Sequence, residues 1–320
     1  MAAALRARPA RPEELEAAVR LVLTPSGGQA GGAAGAAEDV RAAAAEFIAM
    51  GRERGITFDG IHVAEHQGRL VSAVLPVISP GRTMLILSPP GGLAKGMDAG
   101  TRRLIEPVCR YCAQWGVHLA QALVDPQDAA LERVFADEAF ARMAELYYLQ
   151  VQAAADAPYP SLPPGVSWVT YSDRTHGLFG RAVLASYQDS LDCPALNGRR
   201  NVEDILAGHK ATGMFDPTTW LVLREGESPL GVLLLSESLR GDAVELVYLG
   251  LAAAARGRGL GEVLMRQALA ITGRSRQPRL CLAVDSRNAP ALKLYYRHGM
   301  QRIGSKVAML RDLRVGRSVP

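Results

Sequence analysis

The chain has little lysine and no clustered positive charge. Only four of its 36 basic residues are lysine, and nowhere do five basic residues follow one another. Proteins that bind nucleic acids usually carry such clusters on one face or in one tail. The net charge of +4 is spread along the sequence. It predicts no nucleic-acid partner, although it is compatible with a polyanionic small molecule.

Cysteine is scarce too, with four residues in 320. Cys109 and Cys112 have the spacing of metal ligands, but no second pair of Cys or His completes a zinc site, so we expect no metal. Free thiols suit a reducing compartment. The sequence also lacks ~20 consecutive apolar residues and the apolar segment of a secretion signal. These features predict a cytoplasmic protein without a membrane-spanning helix.

One short segment is rich in proline. Four prolines fall within the ten residues Asp156–Gly165, which predicts an extended linker. A chain of 320 residues exceeds what one hydrophobic core usually organises. We therefore expect one domain at residues 1–155, a linker at 156–164 and a second domain at 165–320.

The same order of elements is predicted on both sides of this linker. Strands and helices are expected at 61–77, 83–87, 100–114 and 117–124, and again at 220–235, 243–251, 260–272 and 279–284. Val124–Ala129 and Val284–Ala289 align without a gap at an offset of 160. We interpret the two halves as copies of one domain.

A glycine-rich turn follows one of the predicted strands. Arg256–Gly261 stands between the apolar strand Glu245–Leu251 and a helix with one apolar face. The first N–H groups of a helix lack internal partners and carry partial positive charge, and glycine lets a phosphate approach the backbone. Arg256 and Arg258 can add charged donors, so the turn predicts a pyrophosphate site. A dinucleotide loop would need G-x-G-x-x-G and an acidic residue about 20 positions later, and residues 278–280 are not acidic.

Two motifs in roughly residues 165–314 resemble those of the GNAT superfamily of N-acetyltransferases. The family's cofactor motif, Gln or Arg followed by x-x-Gly-x and then Gly or Ala, is matched by Arg256, Gly259 and Gly261. The later motif, Asn-x-x-Ala-x-x-Leu-Tyr-x-x-x-Gly-Phe, is matched at Asn288, Ala291, Leu294, Tyr295 and Gly299, with Met300 in place of the final Phe. The resemblance is much fainter in the first half.

The resemblance implies an α/β (α+β) fold of two tandem GNAT-like domains, each a mixed, mostly antiparallel sheet flanked by helices. Mycothiol-synthase-type acetyltransferases have this double-domain arrangement. The resemblance also implies acetyl-coenzyme A as cofactor and acyl transfer to a primary amine by direct attack in a ternary complex. The implied cofactor contacts are Leu249, Gly250, Leu251, Arg256, Gly257, Arg258, Gly259, Leu260, Gly261 and Asn288, the last of them near the thioester.

Tyr295 is the implied proton donor to the departing sulfur. Aminolysis of a thioester expels a thiolate, whose conjugate acid has a pKa of about 8.5 by analogy with cysteine. A phenol with a pKa of about 10 stays protonated at neutral pH and can protonate the sulfur. The competing interpretation is a core aromatic residue on the apolar face of its helix.

Because an amine is mostly protonated at neutral pH, a base or a water chain must take its proton. Glu245 is the predicted base, since strand alternation would place it on one face with Val247, Leu249 and Leu251 and desolvation would raise its pKa. The competing interpretation is a strand-end carboxylate that faces water. Glu237 on the preceding strand, or a water chain, is then the alternative.

The acceptor is expected at Ser186–Arg200, a polar segment with two turn signals between the first two helices of the domain. Tyr187, Asp189 and Asp192 are the predicted contacts to a cationic amine, although a solvated connector would have a similar composition. The preferred hypothesis is a small-molecule amine. A protein or peptide N-acetyltransferase and a non-catalytic acyl-coenzyme-A sensor are the alternatives.

The first half lacks these motifs. Its corresponding turn, residues 89–100, has no Arg-x-x-Gly-x-Gly, and at the offset of 160 Tyr295 becomes Phe135 and Asn288 becomes Asp128. A carboxylate there would repel cofactor phosphates, so we predict a degenerate copy with a structural or substrate-gating role. The sequence leaves the oligomeric state open, and a monomer is compatible with it because the two copies can pack on each other.

Overall fold

The chain forms two compact units in the computed structural model, which describes residues 5–24, 33–53, 55–92, 96–239 and 241–314. The first unit consists of residues 1–143 and 306–320, and the second unit consists of residues 144–305. Each unit contains one β-sheet with helices against it.

The first unit begins the chain. Its strands are β1 (Arg6–Pro9), β2 (His62–His66), β3 (Arg69–Ser79), β4 (Thr83–Leu87) and β5 (Leu119–Val124), and its helices are α1 (Leu15–Val22), α2 (Ala33–Glu53), α3 (Met97–Gln114) and α4 (Ala129–Asp137). Strands β1 to β4 pair in chain order and antiparallel, and β4 pairs with β5 in parallel.

The second unit follows the same plan. Its strands are β6 (Ala141–Gln152), β7 (Val166–Thr170), β8 (Met214–Glu225), β9 (Ser228–Glu237), β10 (Val244–Leu251) and β11 (Arg279–Asp285). Its helices are α5 (His176–Tyr187), α6 (Val202–Lys210), α7 (Leu260–Gly273) and α8 (Ala289–Arg297). The last described strand is β12 (Gln301–Asp312). Strands β7 to β10 pair antiparallel, β10 pairs with β11 in parallel, and β11 pairs antiparallel with β6. The prediction of mixed, mostly antiparallel sheets flanked by helices is confirmed.

Each unit is completed by a strand from the end of the other half of the sequence, which moves the unit boundaries away from residues 155 and 165. Residues 307–312 of β12 pair with β5 and complete the sheet of the first unit. Residues 146–152 of β6 pair with β11 and complete the sheet of the second unit. The proline-rich segment 156–164, which has no regular secondary structure, therefore lies inside the second unit and does not divide the two.

Apolar side chains cover both faces of each sheet. In the first unit, Leu75 packs with the helices α1 and α2 on one face, and Val74 packs with α3 and α4 on the other. In the second unit, Leu233 belongs to a core with α7 and α8, and Leu234 belongs to a core with α5 and α6. The alternation of side chains along a strand produces this division.

The duplication predicted from the sequence is visible in the elements. Helices α4 and α8 have equal lengths and begin 160 residues apart, and β6 and β12 show the same relation. Asp128 and Asn288 both cap their helices by accepting the N–H of the residue three positions later. Each helix is followed by a residue with positive φ, Ala139 (61°) and Gly299 (76°).

The described residues contain no helix long and apolar enough to cross a membrane. They also contain no group of three or more His, Cys, Asp or Glu side chains that could hold a metal ion. Cys109 and Cys112 are buried in α3, and burial raises the pKa of these thiols to about 12 and about 11. They therefore pack as small apolar side chains.

Candidate active site

A cavity of about 570 Å³ lies where two parallel strands of the second unit separate. Strands β10 and β11 pair at only two positions, Val244 with Leu280 and Glu245 with Cys281. Beyond them, Leu246–Leu251 lines one side of the cavity, and Ala283 and Val284 line the other. The backbone edge of β10 that faces the cavity therefore pairs with no described strand after Glu245, while its other edge stays paired with β9.

A β-bulge between Leu246 and Tyr248 reverses the facing of β10. Leu246 and Leu249 both pack in the core beside α7, whereas Val247 and Tyr248 both pack in the core beside α5 and α6. The prediction that Glu245, Val247, Leu249 and Leu251 share one face is wrong, because the bulge inserts an extra residue into the alternation. The bulge turns Tyr248 into the cavity wall.

The glycine-rich turn lies where the sequence predicts it, and α7 begins at Leu260 directly after it. Gly257 and Gly259 have φ of 77° and 75°, a conformation that favours glycine. In the described residues, no acceptor receives a hydrogen bond from the backbone N–H groups of 257–261. Four of these five residues, Gly257 and 259–261, line the cavity, and unpaired donors at a helix N-terminus make a site for an anion.

The two arginines of this turn have protein partners instead of pointing jointly at an anion. Arg256 donates to the carbonyl oxygens of Ser186 (3.0 Å), Gln188 (2.6 Å) and Asp189 (3.1 Å), and so holds the C-terminal end of α5. Arg258 pairs with Glu225 at 3.3 Å on an exposed surface and is not part of the cavity wall. The expectation of two charged donors for a pyrophosphate overlooked these partners, which are remote in sequence.

Tyr295 and Asn288 both line the cavity from α8. Asn288 caps this helix by accepting the N–H of Ala291 at 3.4 Å. Tyr295 is almost completely buried, and burial, followed by the charge of Asp192, raises the pKa of its hydroxyl. The hydroxyl therefore stays protonated across the pH range of an enzyme assay.

The two glutamates predicted as bases lie outside the cavity wall. Glu245 is half-buried at the position where β10 and β11 still pair, and burial, followed by the charge of Asp242, raises the pKa of its carboxyl. Burial, followed by the charge of Glu245, raises the pKa of the Tyr148 hydroxyl. Glu237 sits at the end of β9, opposite Val244. Neither glutamate lines the cavity that Tyr295 faces.

The predicted acceptor segment divides into residues that line the cavity and one that supports it. Asp189 and Asp192 line it, with Asp189 exposed at a φ of 50°. Tyr187 lies behind the wall, its ring 5.5 Å from that of Tyr248 in an edge-to-face contact. Burial, counteracted by Arg200, raises the pKa of the Tyr187 hydroxyl.

Sequence reasoning missed a hydroxyl pair at the cavity, Tyr248 and Ser186, whose oxygen atoms are 2.9 Å apart. A Cβ atom at Gly250 would lie 2.7 Å from both of these oxygens. Glycine is therefore needed for their close approach to the strand. Gly250 is among the predicted cofactor contacts, but only the bulge, which the sequence does not reveal, brings Tyr248 to this side.

The equivalent place in the first unit is closed. Strands β4 and β5 pair at four successive positions, and Asp128 accepts the N–H of Gly91 at 2.7 Å as well as the N–H of Leu131 at 2.9 Å. A Cβ atom at Gly91 would lie 2.6 Å from the Asp128 carboxylate. The side chain that replaces Asn288 thus ties the loop after β4 to the start of α4.

The second unit matches a known family in sequence. The model of the acetyltransferase (GNAT) family matches residues 185–300, which contain the glycine-rich turn, the separated strands and Tyr295. This part of the chain is therefore similar in sequence to the GNAT acetyltransferases. No curated protein sequence matches the chain.

Solved structures share the GNAT fold over nearly the whole chain. A GCN5-related N-acetyltransferase from Sphaerobacter thermophilus is 17% identical with a TM-score of 0.63, covering 97% of this chain and 96% of that one. A tandem GNAT protein from the clavulanic acid biosynthesis pathway is 15% identical with a TM-score of 0.53, covering 97% and 99%. A GCN5-related glucosamine N-acetyltransferase region of a fungal multi-domain GH3 β-N-acetylglucosaminidase is 14% identical with a TM-score of 0.61, covering 97% and 38%. Such identities show a common fold and no more.

Proposed function

We propose that the chain is an acetyl-coenzyme-A-dependent N-acetyltransferase that acylates the primary amine of a small molecule by direct attack in a ternary complex. The supporting observation is that one cavity is lined both by Gly257 and 259–261, whose amides are unpaired among the described residues, and by the buried Tyr295. An anion-binding end and a proton-donating end in one cavity are what acyl transfer from a coenzyme-A thioester requires.

The residues present fit coenzyme A. The amides of Gly257–Gly261 would hold its pyrophosphate at the start of α7. The unpaired edge of β10 at Leu249–Leu251 would hydrogen-bond the amide-bearing arm as an added strand does, and Asn288 would contact the cofactor near the thioester. When bound, acetyl-coenzyme A supplies an acyl group on a sulfur leaving group.

Tyr295 would hold the proton that the departing sulfur needs. Burial keeps its hydroxyl in the neutral, donating form. Glu262 lines the same cavity, but its two carboxylate oxygens are engaged by His298 at 3.0 Å and Arg266 at 2.8 Å.

The size of the cavity favours a small acceptor. About 570 Å³ lies within the range of ordinary small-molecule sites, and part of that volume must accept the cofactor arm. Asp189 and Asp192 give the acceptor end negative charge, which suits an amine that arrives as ammonium.

The test compares Tyr295→Phe with Tyr296→Phe, the same change at an exposed neighbour on α8 that does not line the cavity. Release of free thiol from acetyl-coenzyme A is measured with a panel of small amines and short peptides, and coenzyme A binding is measured by calorimetry. Tyr295→Phe should bind coenzyme A like the parent and lose about 10²–10⁴ in rate, while Tyr296→Phe should keep both properties.

Two results would change the conclusion. If Tyr295→Phe retains activity within twofold, Tyr295 is a core aromatic residue and not the proton donor. If the parent protein binds coenzyme A but releases no thiol with any amine or peptide, the enzymatic function fails and the acyl-coenzyme-A sensor takes its place. Faster reaction with peptides than with every small amine would overturn the small-molecule acceptor.

A further inference from the structure

The cavity contains a carboxylate that is better placed for the reaction than Glu245. Asp192 lies in the loop between α5 and α6 and lines the cavity together with Tyr295. Its Oδ1 atom accepts the backbone N–H of Asp285 at 3.4 Å. Among the described residues no donor contacts the other oxygen, Oδ2. One oxygen of Asp192 is thus held by the protein, and the other is left for a ligand.

A second carboxylate fixes this loop from β11. Asp285 is completely buried, and its Oδ2 accepts the N–H of Cys193 at 3.3 Å, while its own N–H binds Asp192. Asp285 is therefore joined to the adjacent residues Asp192 and Cys193 by two main-chain to side-chain hydrogen bonds. Arg287 donates to Asp285 at 2.7 Å and 3.0 Å. Although burial opposes ionisation, these hydrogen bonds lower the pKa of the Asp285 carboxyl.

The surroundings of Asp192 come from four elements of the second unit. Several titratable or charged groups interact electrostatically with Asp192 or with its neighbours. From other elements these are Tyr187 of α5, Tyr248 of β10, Asp285 and Arg287 at the end of β11, and Tyr295 of α8. From its own loop they are Cys193 and Arg200. Burial is the largest influence on Asp192 and raises the pKa of its carboxyl. Within the described part of the chain no cation forms an ion pair with it, which leaves its charge available to an ammonium group.

We propose that Asp192 binds the ammonium form of the acceptor and accepts its first proton, and that Asp285 is a positioning residue that holds Asp192 at the cavity. The inference rests on the proposed acyl-transfer function and specifies the acceptor as a cation. It replaces Glu245, which lies where β10 and β11 still pair and outside the cavity wall.

The protons and bonds balance in this scheme. The ionised Asp192 takes one proton from R–NH₃⁺, and the resulting R–NH₂ bonds to the thioester carbonyl carbon. The C–S bond breaks, the sulfur takes the Tyr295 proton, and the tyrosinate takes the remaining excess proton from the nitrogen. Asp192 then releases its proton to solvent. The products are the amide, the free thiol and one proton.

The experiment uses the full chain with Asp192→Asn, Glu245→Gln, Asp285→Asn and the control Asp173→Asn. Asp173 is exposed and outside the cavity, so its change removes one negative charge at a remote place. Turnover under saturating acetyl-coenzyme A is followed from pH 5 to pH 10 with the amine to which the parent responds best. Coenzyme A affinity is measured by calorimetry, and carboxyl ¹³C NMR follows the titration of Asp192 without cofactor.

Asp192→Asn should keep coenzyme A affinity within about threefold and lose about 10²–10⁴ in turnover at neutral pH. Its pH profile should lack the acidic limb. Turnover should recover at high pH, because the amine then deprotonates in solution. Asp285→Asn should shift the limb and the NMR titration of Asp192 in the same direction, which a merely structural residue would not do. Asp173→Asn and Glu245→Gln should keep the parental profile.

The opposite pattern overturns the proposal. If Glu245→Gln removes the acidic limb and Asp192→Asn keeps it, Glu245 is the base and Asp192 is a loop residue. An Asp192 titration at the ordinary position of a free carboxyl would also overturn it, because the side chain would then be solvated and outside the cavity. If no amine supports thiol release by the parent, the proposed acyl-transfer function itself fails. Failure of the Asp192 proposal alone would leave thiol release by the parent intact, so the two failures are distinguishable.

Discussion

Replacement of Gly259 by alanine separates backbone strain from cofactor binding. Gly259 has a φ of 75° at the start of α7, and a Cβ atom there meets nothing within 4 Å. The only intramolecular cost is therefore the left-handed backbone, about 1–2 kcal/mol for a residue with a Cβ atom. That cost corresponds to a fall of about 2–8 °C in the melting temperature of a unit of this size.

The same change should weaken coenzyme A binding by a second route. If the N–H groups of 257–261 bind the pyrophosphate, a methyl group or a shift of the turn removes at least one hydrogen bond to a charged group. Such a bond contributes about 1.5–3 kcal/mol, so the dissociation constant should rise about 10- to 150-fold. Calorimetry of the purified protein measures this change directly.

Gly165 provides the matched control. It has a φ of 79°, open space within 4 Å of the place that a Cβ atom would take, and a location before β7 away from the cavity. Gly165→Ala should lose a similar amount of stability in urea and keep its affinity for coenzyme A. If Gly259→Ala binds coenzyme A as tightly as the parent, or if both variants lose affinity equally, the pyrophosphate does not lie on this turn.

Two further predictions concern the first unit. Hydrogen bonds from Arg8, followed by the N–H of Arg11, lower the pKa of Glu14 from 4.5 to about 2; this stabilisation is complete above pH 4.5 and is lost as the pH falls towards 2. Urea unfolding at several pH values should therefore show a smaller loss of stability in acid for Glu14→Gln than for the parent, and equal losses would refute the pair. Asp128→Ala should cost about 1–3 kcal/mol by removing the cap of α4 and the acceptor of Gly91 without changing coenzyme A affinity; weaker binding would show that the first unit contributes to the cofactor site.

The local parts of the site could be predicted from the sequence because their signals are local. The turn Arg256–Gly261 has its glycines at the positions that need positive φ or the start of a helix, and α7 begins where the apolar periodicity begins. Asn288 caps α8, and Tyr295 lies further along the same helix, facing the cavity. The repeat at an offset of 160 was equally visible, since the same elements recur at the same spacing.

The remaining parts depend on contacts between residues that are remote in the chain. The bulge in β10 reverses the face of every residue after it, and strand alternation alone cannot detect one extra residue. Arg256 binds carbonyl oxygens about 70 residues earlier. Asp192 and Asp285 meet across 93 residues. The sequence therefore predicted Asp192 as a contact to the amine, but it did not predict the hydrogen bond that Asp192 accepts from Asp285.

The completion of the first unit by β12 has a consequence for synthesis on the ribosome. The first unit needs residues 307–312 to cover the free edge of β5, yet those residues are translated more than 160 positions after Met143, where the rest of that unit ends. At 5–20 residues per second this interval lasts roughly ten to thirty seconds. Throughout it the edge of β5 is open to other chains, the exposure that leads to strand-mediated aggregation. Complete folding of the first unit thus waits until almost all of the second has been made.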